Sequence, residues 1–475
     1  MSEAASVGGG IGGHPKGLST LFFTEMWERF SYYGMRSLLI LFMVASPEAG
    51  GLGFDTARAA GIYGLYTGSV YFTAIPGGWI ADRLLGLRRA VFVGGVLIAL
   101  GHYSLALGLL PFFYVGLILI VMGTGLLKPN ISSIVGQLYA EGDARRDAGF
   151  SIFYMGINLG AFISPLVCGF LGQKIDWHWG FGAAGVGMTL GLVQYVLGGA
   201  RLGEAGLLRQ TPSDSAVVWA KVVATLAGIT AGLYLLWDYR DLVVLVATAA
   251  LFWWLLQQAA PGVERKRIGA IMVLFVFATL FWAAFEQAGS SLNLFADQRT
   301  RTSLFGWDFP SSWFQSVQPL CIILLAPVFA WLWLRLGRRE PSSPAKFAYG
   351  LLFVGLGFLV VAVGAHLSET SGGARVSPMW LIVLYFLHTL GELSLSPVGL
   401  STVTKLAPQR IVGLMMGVWF LALSLGNFIG GSVAGFFGRF PLPQLFGAVF
   451  LTTAASALVL ALLVKPIRNL MAGVH

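Results

Sequence analysis

The stretch "EMWERFSYYG", residues 25–34, places two glutamates and an arginine inside an otherwise apolar run from about Leu18 to Ala45, and Arg36 follows two residues later. The run is long enough to cross ~30 Å of hydrocarbon as a helix. A charged side chain at mid-bilayer costs about 2.5–3.5 kcal/mol on an insertion scale. Charge of this density within a span is tolerated only around a polar cavity or in an ion-pair network.

The remainder of the chain supports a membrane reading. Of its 475 residues 56% are hydrophobic and 11% charged, with a mean hydropathy of +0.77. That charged fraction is about half the roughly 25% of soluble domains. The 63 glycines lie within apolar segments, where they permit close helix packing. Cys168 and Cys321 both fall in expected spans, so neither a disulfide framework nor a metal site is expected. The six histidines show no metal-ligand spacing. Residues 1–17 are Gly-rich and have no apolar core for a cleavable signal, so the first helix itself is expected to direct insertion. The "GGGIGG" run there has no preceding strand and does not read as a dinucleotide loop.

Spans are expected near 18–45, 57–81, 90–109, 112–139, 148–172, 179–198, 216–236, 242–258, 268–294, 312–334, 347–365, 379–404, 412–436 and 444–464, fourteen in all. Counting connections alternately from an intracellular N-terminus puts nineteen Lys and Arg on one side and seven on the other. Cytoplasmic loops collect these residues, so both termini are expected inside, and the net charge of +9 reflects topology rather than nucleic-acid binding. The count includes Arg209 and Arg410. The spans divide into an N-terminal tail (1–17), six spans (18–198), a polar-flanked linker carrying a helical hairpin (199–267), six more spans (268–464) and a C-terminal tail (465–475). The fold class is therefore all-α and polytopic, with two six-helix bundles and an inserted pair, a plan common among transporters. The hairpin reads as a peripheral structural addition.

Few charges remain inside spans: Glu25, Glu28, Glu286 and Glu392 against Arg29, Arg36 and Lys128. Together they cost on the order of 20 kcal/mol unless paired or hydrated. At 100° per residue, Glu25, Glu28, Arg29, Tyr32, Tyr33 and Arg36 fall within an arc of about 140°. Four carboxylates and three cations leave a net charge of −1, which one proton neutralises. A carboxylate that alternates between a cation and a proton is a natural coupling element. A buried salt-bridge cluster that merely fixes packing is the structural alternative.

These residues carry a resemblance. "EMWERFSYYGMR" is similar to the ExxERFxYYG motif of the proton-coupled oligopeptide transporter family, within the major facilitator superfamily. "GGWIADRLLGLRR" (77–89) resembles the superfamily loop between the second and third helices. "GTGLLKPNISSIVGQLY" from Gly123, "FYMGINLGAFISP" from Phe153, "FWAAFEQAGSSLNLFA" from Phe281, "SSPAKFAYG" from Ser342 and "GELSLSPVGLSTVTKLAP" from Gly391 match family blocks in order.

The resemblance implies a bacterial inner-membrane symporter that imports di- and tripeptides with protons by alternating access, as a monomer, with no cofactor beyond the proton gradient and no enzymatic chemistry. By that resemblance Glu25, Glu28 and Arg29 form the motif cluster near Lys128. Arg36 and Lys128 would hold the peptide carboxylate. Asn158 and Glu392 would meet its ammonium, and Tyr32, Tyr33 and Tyr71 would pack along its backbone. Glu286 would be the proton-responsive carboxylate, paired with Arg36 until protonated. Trp282 and Trp419 match pocket walls, and Asp82 and Arg83 mark a gating turn that also holds Arg88 and Arg89. Two positions depart from the family pattern. Gly64 stands where some members carry a functional histidine, and Gln318 stands where the family usually has Asn. His102 and His388 read as core histidines. The Asn130-Ile131-Ser132 sequon is expected in a helix, which argues against glycosylation. A drug exporter, a peptide receptor and, more remotely, a channel are the competing readings.

Overall fold

A computed structural model describes residues 9–140, 143, 145–208, 215–235, 240–304, 306–408 and 412–473. Arg209 and Arg410 of the charge count lie outside these. The described residues hold sixteen α-helices and one short hairpin. Two pairs of helices are successive pieces of one path, so the described residues make fourteen helical passages, as the sequence predicts. It is a multi-pass membrane protein. Among the described residues, nine of the passages are long and apolar enough to cross a membrane by length and composition. The first helix, α1 (Lys16–Val44), is not among them, because any 18-residue stretch of it holds Glu28, Arg29 and either Glu25 or Arg36.

The chain forms two compact units. The first comprises Met1–Phe42, Pro47–Leu52 and Ser69–Leu235; the second comprises Met43–Ser46, Gly53–Gly68 and Leu236–His475. The expected inserted pair is α8 (Ser215–Leu235), which groups with the first unit, and α9 (Arg240–Gln258), which groups with the second.

In the first unit α1 is joined by the end of α2 (Thr56–Phe72), α3 (Ala74–Ile80), α4 (Leu87–Leu105), α5 (Leu110–Gln137), α6 (Arg146–Lys174) and α7 (Trp177–Leu197). The span expected over 57–81 is α2 and α3 in succession, joined at Thr73, which keeps helical φ and ψ and accepts from the Gly77 N–H at 3.0 Å. The Thr73 hydroxyl reaches both Ser69 O in its own helix at 2.9 Å and Val121 O of α5 at 3.1 Å. The bond to Val121 O is tertiary, and an apolar pattern carries no trace of it. The tightest packing is α4 on α5. A Cβ on Gly94 would stand 2.6 Å from Gly123 O, and one on Gly101 would stand 2.8 Å from Gly116 O. Two glycines seven residues apart on each antiparallel helix thus let the backbones touch.

One end of this unit is tied by side chains. Arg88 donates to the carbonyls of Ala205, at 2.6 Å, and Gly203, and the Tyr195 hydroxyl donates to Arg88 O at 3.2 Å. His14 bonds Tyr139 through Nδ1 at 2.9 Å, and Arg145 donates to Gly13 O at 3.0 Å. Asn130 is buried on α5 and donates to Leu126 O at 2.6 Å, so its sequon is spent inside the helix packing.

The second unit contains α10 (Val263–Phe285), α11 (Ser291–Arg299), the hairpin β1 (Ser303–Leu304) and β2 (Trp307–Asp308), α12 (Val317–Leu336), α13 (Ser343–Thr370), α14 (Met379–Leu406), α15 (Val412–Ala434) and α16 (Leu442–Leu470). α13 packs against α14 and α16, and α10 against α15 and α16. Phe446 of α16 is an aromatic hub, 5.6 Å from Phe295 and 6.0 Å from Phe358 between ring centres. Expected as one span over 268–294, α10 and α11 are separated by a tight turn, Glu286–Gly289.

Candidate functional site

Within the first unit, α1 delivers the charged motif. Glu25, Glu28 and Arg29 are 2%, 0% and 1% exposed, so none is solvated by bulk water. Positions 25 and 29 are one turn apart, which brings Arg29 Nε to 3.3 Å from Glu25 Oε1. The same Nε–H donates to Glu28 Oε2. One guanidinium therefore serves two carboxylates, and the planar fork of Arg suits this better than a Lys ammonium. Its Cζ lies 5.1 Å from the Tyr32 ring centre and 6.0 Å from that of Tyr33. One turn on from these tyrosines, the Cζ of buried Arg36 lies 5.6 Å from the Tyr33 ring centre. Cation–π contacts of this kind gain strength where water is excluded. The 140° face expected of α1 is thus a continuous ladder of carboxylates, guanidinia and tyrosines.

Two further cationic and polar groups come from neighbouring helices of the same unit. Lys128, half-buried on α5, sits with Nζ 4.3 Å from the Tyr71 ring centre and acts electrostatically on Glu25. Pro129 and Pro165 fall inside α5 and α6. Asn158 is buried on α6, with its amide donating to Tyr154 O at 3.0 Å. Asp82 and Arg83 are exposed on the wide turn Ala81–Leu85 that follows α3. Arg88 beyond it holds backbone carbonyls of its own unit rather than a carboxylate.

Within the second unit the carboxylates dominate. Glu286 opens the turn that ends α10 and is 6% exposed. Gln287 and Ser291 staple this turn: Gln287 Nε2 donates to Ala283 O at 3.2 Å, and Ser291 Oγ donates to Gln287 Oε1 at 2.8 Å. Sequence reasoning passed over both, although the polar cluster "EQAGSS" signals a break. Glu392 of α14 accepts a hydrogen bond from Gln318 Nε2 of α12 at 2.5 Å, and Glu286 is near enough to act on it electrostatically. Gln at 318 keeps the amide of the usual Asn, and its extra methylene still delivers that amide to the carboxylate.

The aromatic positions are enclosed. Trp282 packs edge-on against Phe281 and Phe285 at 5.1 and 5.3 Å, and Gly426 leaves it room. Trp419 lies 6.1 Å from Phe347 and covers Gly399. His388 is buried between Phe285 and Phe358, as a core histidine would be. At Gly64 a Cβ would stand 2.8 Å from Gly431 Cα. α2 and α15 meet backbone to backbone there, which leaves no space for the imidazole that some family members carry.

Among the described residues no group of three or more His, Cys, Asp or Glu is placed to hold a metal ion. Cys168 and Cys321 are free thiols.

Residues 88–449 match the family described as PTR2, POT family. The chain belongs to the POT family. It is 44% identical over 490 residues to the peptide transporter YePEPT of Yersinia enterocolitica, covering 97% of this chain and 96% of that one. It is 38% identical over 489 residues to a di-/tripeptide transporter of Lactococcus lactis subsp. cremoris, with 98% of both chains covered. Among solved structures, a peptide transporter POT in complex with sulfate is 44% identical, covers 99% of both chains and superposes with a TM-score of 0.91. POT family membership and the fold of these relatives thus agree with the motif "EMWERFSYYG" from which the reading began.

Proposed function

We propose that this POT family member is a proton-coupled symporter that imports di- and tripeptides across a bacterial inner membrane by alternating access, working as a monomer with both termini in the cytoplasm. The observation that carries the proposal is the division of charge. The α1 and α5 cations Arg36 and Lys128 belong to the first unit, while Glu286 and the Glu392–Gln318 pair belong to the second. A free peptide at neutral pH is a zwitterion whose two charged ends require one set of each sign. The names of its relatives, a peptide transporter and a di-/tripeptide transporter, support the same substrate class.

The roles follow from chemistry. Arg36 and Lys128 take the terminal carboxylate, which a guanidinium holds by two parallel bonds. Glu392, oriented by Gln318, takes the ammonium together with Asn158. Tyr32, Tyr33 and Tyr71 lie along the peptide backbone, and Trp282 and Trp419 bound the space for side chains. Glu286 accepts the transported proton. Its ionised form pairs with Arg36, and its protonation releases Arg36 to the peptide. Glu25, Glu28 and Arg29 hold the first helix in register and share in the coupling, and Asp82 and Arg83 serve gating. The division into 18–198, 199–267 and 268–464 belongs to this proposal, as does the driving force: the proton gradient, with no cofactor.

Competition tests the charge requirement. Uptake of labelled dialanine should be inhibited by unlabelled dialanine, and at least tenfold less well by N-acetyl-dialanine, which lacks the ammonium. Equal inhibition by both would remove the role given to Glu392.

A further inference from the structure

The uncharged side of α1 contributes to a feature that transport does not use. Trp27 and Phe30, which flank Glu28 and Arg29, form the floor of a groove of about 500 Å³ on the first unit, continued by Leu171 of α6 and by Trp179, Val186 and Leu190 of α7. The volume is that of a small-ligand site. Small residues create it: Gly182, Ala183 and Gly187 line its α7 wall. A Cβ on Gly187 would clash with Phe30, at 2.4 Å from its Cδ1, whereas one on Gly182 would meet nothing nearer than Ala106 Cβ at 3.9 Å. Gly187 is therefore glycine for packing. Gly182 leaves space open.

We propose that this groove is a binding site for one phospholipid, with an acyl chain lying against Trp27 and Phe30 and the phosphate at Lys174. Three observations commit the occupant. First, the groove is continuous with the lipid-facing surface of a multi-pass protein, since Trp179, Val186 and Leu190 are 65%, 51% and 46% exposed. Second, the one hydroxyl in its lining is engaged internally: Tyr103 OH bonds Thr189 Oγ1 at 2.8 Å, and Thr189 donates to Gly185 O at 2.9 Å, so the lining is apolar apart from the indole N–H groups of Trp27 and Trp179, which suit headgroup depth. Third, charge complements a lipid at one end. Val167, Leu171 and Lys174 follow one another at helical spacing on α6, which carries an exposed cation to the groove end marked by Trp179. The carboxylate at that turn, Asp176, is engaged by the backbone N–H of His178 at 2.8 Å and by its ring at 2.8 Å. An amphipathic Trp beside a Lys is the usual signature of headgroup depth.

The test uses the full-length transporter in vesicles of phosphatidylethanolamine and phosphatidylglycerol, doped with a phosphatidylglycerol whose acyl chain carries a terminal diazirine. After irradiation, digestion and mass spectrometry, the account expects adducts concentrated on the α1 and α7 peptides that hold Trp27, Phe30, Val186 and Leu190. Gly182→Leu, whose Cβ has open space at this position, should reduce those adducts at least fivefold and leave adducts on α12 and α16 unchanged. Val186→Trp should do the same from an exposed position, and serves if Gly182→Leu fails to assemble. Lys174→Ala should lower adducts from the anionic probe more than from a phosphatidylcholine analogue. Adducts spread evenly over all lipid-facing helices and indifferent to these variants would overturn the proposal. So would a Val186→Cys variant that crosslinks copy to copy in place of lipid.

Discussion

Gln318 Nε2 donates to Glu392 Oε2 at 2.5 Å, joining α12 to α14 across 74 positions of sequence. A carboxylate held in this way has one oxygen committed to the protein; in the role proposed for Glu392 the other meets the peptide ammonium, with the orientation set beforehand.

Removing that donor tests the point. In Gln318→Leu, Glu392 loses a hydrogen bond of the kind worth about 1.5–3 kcal/mol to a charged group. The apparent KM for dialanine should rise roughly tenfold or more. Gln318→Asn should fall between the two, because the shorter amide reaches less well. A KM unchanged in Gln318→Leu, measured as initial uptake rate against concentration, would leave the pair without a part in binding.

Arg29 pairs with two buried carboxylates. Arg29→Met leaves Glu25 and Glu28 without their cation, and breaking a buried ion pair from one side costs about 3–5 kcal/mol. Thermal unfolding in detergent should show a clear loss of stability together with loss of uptake. Arg29→Lys restores the charge without the planar fork, and should recover part of the stability. Should Arg29→Met unfold at the wild-type temperature, the cluster is not the buried network described.

Adjacent glycines predict opposite outcomes. A Cβ on Gly77 would stand 2.0 Å from Gly125 O, whereas one on Gly78 has nothing within 4 Å. Gly77→Ala must push α3 off α5, at a cost of about 1–3 kcal/mol. Gly78→Ala should be neutral or slightly stabilising, since Ala favours helix. Parallel melting curves of the two variants settle the comparison.

At the end of α5, outside the spans, the Arg145 guanidinium beside Asp143 holds its carboxyl at about 2, below the ordinary 3.8. A depressed carboxylate contributes stability above its unfolded pKa and loses it as pH falls through about 2. The pair therefore stays ionised throughout the working range. Asp143→Asn should leave the shape of the uptake profile between about pH 5 and 7 unchanged, so any titration seen there arises elsewhere. A profile displaced by this variant would implicate the loop in coupling.

Much of this architecture is legible in the sequence, and the exceptions share a physical cause. The fourteen passages follow from apolar runs bounded by polar turns. The charged face of α1 follows from 3.6-residue periodicity, because Glu25, Arg29 and Tyr32 are local neighbours. The turn at Glu286–Gly289 is signalled by the polar cluster "EQAGSS", whereas the bond from Thr73 to Val121 O, which ties the α2–α3 junction to α5, leaves no trace in an apolar pattern. Arg88 reads in the sequence as one of the charges at a cytoplasmic turn, and in the structure it clamps the carbonyls of Gly203 and Ala205. Backbone acceptors carry no sequence signature. The lipid groove is hidden for the opposite reason: it is made by what Gly182 lacks.

The most direct test of the central claim is accumulation of labelled dialanine in proteoliposomes, with and without an inward proton gradient, for wild type and Glu286→Gln. Wild type should accumulate peptide under the gradient, and Glu286→Gln should lose that accumulation while peptide exchange across the membrane survives. Wild-type protein that binds dialanine but never concentrates it under a verified gradient would contradict proton-coupled import.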